Sequence, residues 1–106
     1  MNRDAHVRAP ERYFVRAFTE AIDGHYGDDI VDIITDNWSA FSLDARERML
    51  QALHAGLARY RKELTGRDDL DIMPRMRASA LEYVIETVLE RDDAGREIWN
   101  GLGVAA

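Results

Sequence analysis

Asp28, Asp32 and Asp36 recur at every fourth position, with Asp23, His25 and Asp29 close beside them. Carboxylates at that spacing share one face of a helix. Such a set could gather a hard cation such as Mg²⁺ or Ca²⁺. It could orient His25 as a general base. It could also present a surface of one sign to a cationic partner. The cation reading fits poorly, because Asp23 and His25 occupy the first alternating positions of a calcium loop and no ladder of ligands continues from them. The acid–base reading lacks a companion group. His6, His25 and His54 stand apart from any activated nucleophile, and Ser39, Ser42 and Ser79 lie in no Gly-x-Ser-x-Gly elbow. The single-sign surface is left, beside the plain alternative that charge on a helix simply faces water.

Charge along the chain is sorted into blocks. Residues 23–44 hold six aspartates and no Lys or Arg, whereas residues 45–67 carry Arg46, Arg48, Arg59, Arg61, Lys62 and Arg67 against Glu47 and Glu63. The basic block forms no single stripe, and a net charge of −6 repels phosphate, so direct nucleic-acid binding is not expected. Pairing of this block with the acidic second helix inside the fold is the simplest account of it. Glu82, Glu86 and Glu90 repeat the four-residue spacing, but no His three positions on completes a di-iron pattern. Tyr26-Gly27-Asp28-Asp29 is similar to the metal-binding tetrapeptide of viral RNA polymerases. That motif needs a strand–turn–strand in a much longer chain, and here the residues precede a helical pattern.

Periodicity supplies the elements that must position these groups. Pro10 suits a first helical turn, Phe14, Ala17, Phe18, Ala21 and Ile22 follow on one face, and Gly24 suits a stop, which predicts a helix over 10–23. Asp28 or Asp29 caps a second helix running through Ile30, Ile33, Ile34, Asn37, Trp38 and Phe41. Its β-branched start suits a strand too, but the chain offers no second strand to pair with it. Ser42 caps a third helix with the stripe Met49, Leu50, Leu53, Leu57, Tyr60 and Leu64, ended at Gly66. Asp71 caps a fourth helix opened by Pro74, whose broad apolar face takes in Met73, Met76, Ala80, Leu81, Val84, Ile85, Val88 and Leu89. Asp92 or Asp93 caps a short fifth helix through Trp99, stopped by Gly101. Ala52, Ala55 and Gly56 make a small-residue patch in the third helix, where another backbone passes close or a homodimer seam forms. Trp38, Phe41 and Trp99 are the large aromatics available for a core or for an interface.

The 106 residues suit one domain, 1–106, with loose ends over 1–9 and 102–106. Apolar residues at 46% and charged residues at 32% give a globular composition. The fold class expected is therefore all-α, a compact single-domain bundle of four to five short amphipathic helices. The chain has no cysteine, which excludes disulfides and thiolate metal sites and permits a reducing, cytoplasmic location. No apolar run approaches the length of a membrane span, and the charged start is not a secretory signal. No catalytic, cofactor or metal residue is assigned.

The function expected is that of a non-enzymatic acidic protein-binding module. Asp28, Asp29, Asp32, Asp36 and Trp38 would face a basic partner surface, such as that of a nucleic-acid-binding protein. An inhibitor presenting phosphate-like charge would fit, whether an antitoxin, an immunity protein or a phage counter-defence protein. The alternatives are a homo-oligomeric assembly subunit joined along the third helix, and a small metal-binding domain or enzyme built on His25, Asp28 and Asp29.

Overall fold

The structure, a computed structural model, describes residues 9–24 and 29–102. Within them the chain forms five α-helices and one short 3-10 turn, with no strand, as an all-α bundle requires. The helices are α1 (Ala9–Ile22), α2 (Asp29–Asp36), α3 (Leu43–Lys62), α4 (Asp68–Arg91) and α5 (Asp93–Gly101), and the 3-10 turn is Trp38–Ala40. The expectation of loose ends over 1–8 and 103–106 falls outside the described residues. Ala9 belongs to α1, and Leu102 closes α5 by donating its N–H to Ile98 and Trp99 carbonyls.

The third helix is the axis of the fold. Ser42 starts it as expected: its Oγ accepts from the Ala45 N–H at 3.2 Å, and Arg59, Arg61 and Lys62 stand in the last turn, where cations favour the dipole. Met49, Leu50, Leu53, Leu57 and Tyr60 are all buried. They pack against α1 on one side and α4 and α5 on the others. Gly24 and Gly66 end α1 and the α3 corner with φ of +87° and +86°, a conformation that a Cβ disfavours.

Gly56 explains the small-residue patch. A Cβ there would lie 2.5 Å from Ile22 Cγ2 of α1 and 3.3 Å from Leu81 Cδ1 of α4. The close approach at Gly56 is made within the chain, while Ala55 beside it is exposed. Of the two readings of the patch, close packing within the chain is the one that accounts for Gly56.

Three other expectations change. The second helix stops at Asp36, because Asn37 turns its side-chain amide back to the Ile33 carbonyl at 2.7 Å and the chain tightens into the 3-10 turn. The fourth helix starts at Asp68, six residues before Pro74, which lies inside it. Asp68, Asp69 and Asp71 favour the positive end of the helix dipole, and the cost of Pro74 is the missing N–H that would have reached the Leu70 carbonyl. Asp71 lies within the helix and does not cap it by position. It folds back instead, accepting from Thr65 N–H, Thr65 Oγ1–H and Gly66 N–H at 2.8, 2.7 and 2.8 Å. Finally, the apolar face of α4 is narrower than its composition suggests. Ala78, Leu81, Ile85 and Val88 are buried, while Met73 and Met76 are 53% and 61% exposed.

Gly56→Ala should lower stability by about 1–2 kcal/mol, the overlap with Ile22 outweighing the helix propensity gained. Chemical denaturation checks this, and a variant as stable as the parent would show that α1 and α3 part freely.

Candidate functional site

Eight residues make α2, too few to hold a helix without tertiary support. Val31, Ile34 and Thr35 supply that support from its buried side. Arg91 reaches the Thr35 carbonyl at 3.4 Å, placing a cation at the negative end of the helix. The opposite side carries Asp29, Asp32 and Asp36, all exposed, with Ile33 53% exposed among them. None of these three carboxylates has an ion-pair partner among the described residues. Asp28, the fourth member expected here, lies outside the described residues, as do His6 and His25.

The arginines pair elsewhere, which corrects the expectation that the basic block neutralises α2. Arg46 pairs with Asp92 at 2.8 Å, Arg59 with Asp23 at 2.9 Å and Arg61 with Glu82 at 3.1 Å. Each partner lies outside α2, so among the described residues the acidic stripe is left uncompensated. Arg77 comes nearest in kind. It lines a cleft of about 500 Å³ together with Asp32, Val31, Tyr60, Leu81 and Tyr83, yet its guanidinium sits over the Tyr60 ring, 5.6 Å from the centroid.

Trp38 is corrected as well. At 2% exposure it cannot meet a partner. Its Nε1–H donates to Asp92 Oδ2 at 2.9 Å, the same oxygen that pairs with Arg46. Asp92 Oδ1 accepts from the Gly95 N–H at 2.9 Å and so caps α5, and Gly95 cannot be larger because a Cβ would fall 2.7 Å from Asp92 Oδ2. The sequence signals the cap, but not the burial of Asp92 or the tryptophan 54 positions away. A second buried acid was not anticipated at all. Glu11 accepts from both the N–H and the hydroxyl of Ser42 at 2.6 Å, fastening the first turn of α1 to the start of α3.

Two of the buried acids, Asp92 and Asp71, are held in their ionised forms by their donors. Burial alone would push the Asp92 carboxyl up, but the donors Gly95 N–H, Trp38 and Arg46 together hold it below its ordinary value. The Thr65 N–H leads the groups that lower Asp71, joined by the Thr65 hydroxyl, Gly66 N–H and Arg75 against the opposing effect of burial. Each of the two carboxylates is held by three close donors. His54 is half-buried, its ring meeting Trp99 edge-on at 5.4 Å. Among the described residues no three His, Asp or Glu side chains converge at metal-binding separation.

Asp92→Ala should cost about 3 kcal/mol, because it removes the acceptor of the buried Trp38 N–H, the cap of α5 and the partner of the half-buried Arg46 guanidinium. Equilibrium denaturation measures the loss, and Asp92→Asn, which keeps an acceptor, should lose less. The lowered carboxyls also fix an acid dependence. Folding favours their ionised forms, so their contribution is complete above the unfolded carboxyl range and is lost as pH falls through the lower folded values. Thermal melts should hold steady from pH 7 to about 5 and drop steeply below about 4. The combined Asp71→Asn and Asp92→Asn variant should start less stable and fall less over the same range.

No family model, curated protein or solved structure matches this chain.

Proposed function

We propose that the protein is a non-enzymatic docking module whose α2 face binds a basic surface on another protein. The observation that carries this reading is the row Asp29, Asp32 and Asp36, exposed on one side of α2 and free of ion pairs among the described residues. Uncompensated charge of one sign steers a cationic partner from a distance and sets register on contact. Ile33 lies along one edge of the row and adds an exposed apolar contact beside the charges. Carboxylates in a row resemble the phosphates of a nucleic-acid backbone in sign and spacing. A nucleic-acid-binding protein is therefore the partner class that fits best, and blocking its site is the action that follows. The absence of cysteine suits a reducing compartment such as the cytoplasm.

The test compares two triple variants of equal charge. Asp29→Asn, Asp32→Asn and Asp36→Asn remove the row, while Glu20→Gln, Glu63→Gln and Glu97→Gln leave it intact. Each set raises the net charge of −6 by three. Basic proteins recovered from native lysate on the parent chain should associate about tenfold more slowly with the aspartate variant at low salt, and its salt dependence should flatten. The glutamate variant should behave as the parent does. Equal loss in both sets would mean that only overall charge matters and would overturn the assignment to α2.

A further inference from the structure

The fourth helix is apolar on two opposite sides, and the described fold covers only one. Ala78, Leu81, Ile85 and Val88 face the bundle. Turned away from them are Ile72 at 56%, Met73 at 53%, Met76 at 61% and Tyr83 at 71% exposure, with Ala80 exposed between. Met73, Met76, Ala80 and Tyr83 follow one another at three-, four- and three-residue steps, the alternation by which one helix seats along another. A contiguous outward stripe of this kind marks a contact surface, and methionine adapts well to a partner helix.

The charges beside the stripe choose the occupant. Arg75 and Arg77 flank its N-terminal half, after Asp68 and Asp69 of the first turn, whereas Glu82, itself paired with Arg61, Glu86 and Glu90 flank its C-terminal half. Glu86 and Glu90 have no ion pair among the described residues, and the Arg75 side chain stays 53% exposed while it meets Asp68. Two copies of α4 laid antiparallel bring Arg75 of each towards Glu86 of the other and keep the two glutamate ends apart. Laid parallel, they would set like charges together. Ser79 and Ala80, both small, fall near the midpoint, where two crossing helices need the closest approach. We propose that this face pairs with a second copy of the same chain, α4 against α4 in antiparallel order, about a two-fold axis near Ser79 and Ala80. The pairing is isologous and closes on itself. It uses a surface separate from the acidic row of α2, so either assignment can fail while the other stands.

Sedimentation of the full chain across a dilution series should show a monomer–dimer equilibrium. Met76→Lys, at a position already exposed, should leave the circular dichroism and melting temperature near those of the parent and weaken dimerisation at least tenfold. The chain has no cysteine of its own, so single cysteines report orientation directly. Ala80→Cys should form an intermolecular disulfide on mild oxidation, and Met73→Cys should not. A monomer at every concentration, a dimer untouched by Met76→Lys, or a Met73→Cys cross-link would each overturn the proposal. The first outcome would leave the stripe to a different protein, and the last would make the pair parallel.

Discussion

A carboxylate leaves water only when other donors replace it, and Asp92 meets that condition from three directions at once. Its two oxygens receive the Trp38 indole, the Arg46 guanidinium and the Gly95 amide. One side chain thereby ties the turn after α2, the first turns of α3 and the start of α5 to the end of α4. The same device recurs at the other corners. Glu11 holds α1 to the start of α3 through Ser42, and Asp71 holds the α3–α4 connection through Thr65 and Gly66. The apolar core decides that the helices collapse, since burial is not directional. The three corner acids decide how the ends meet, because hydrogen bonds are.

This division of labour among the acids bears on function. An acidic chain with many arginines would ordinarily cancel its charge by local pairing. Here Arg46, Arg59 and Arg61 are engaged by Asp92, Asp23 and Glu82. The aspartates of α2 are left facing solvent. Their aim depends on a helix too short to hold itself, anchored by Val31 and Ile34 and followed at once by the buried Trp38. The acidic face of α2 is thus positioned indirectly, through a tryptophan whose own partner, Asp92, lies 54 positions away in sequence.

Much of the fold was legible in the sequence, and for definite reasons. Ser42, the stripe from Met49 to Tyr60 and Gly66 agree on one helix, and local consistency of that kind rarely misleads. The start of α4 was misjudged because proline prefers a first turn, and three aspartates upstream proved strong enough to begin the helix earlier. Its core face was misjudged because Met73, Met76 and Ala80 fit the same three-and-four spacing as Leu81, Ile85 and Val88 while lying across the cylinder from them. Of the candidate site, the exposure of Asp29, Asp32 and Asp36 could be read from their spacing. The fate of Trp38 could not. Residue type makes an aromatic equally fit for core or interface, and only the contact with Asp92, remote in sequence, decides between them.

Pro74 leaves one rung out of the α4 ladder, between the first two turns and the remainder. Residues before that gap are held mostly by Asp71 and its three local bonds, whereas those after it lie against the core. The break divides one continuous helix into a peripheral segment and a central one with unequal protection. Sub-global opening can therefore release the corner from Thr65 to Met73 while the bundle stays closed, so that its amides exchange with solvent ahead of the rest.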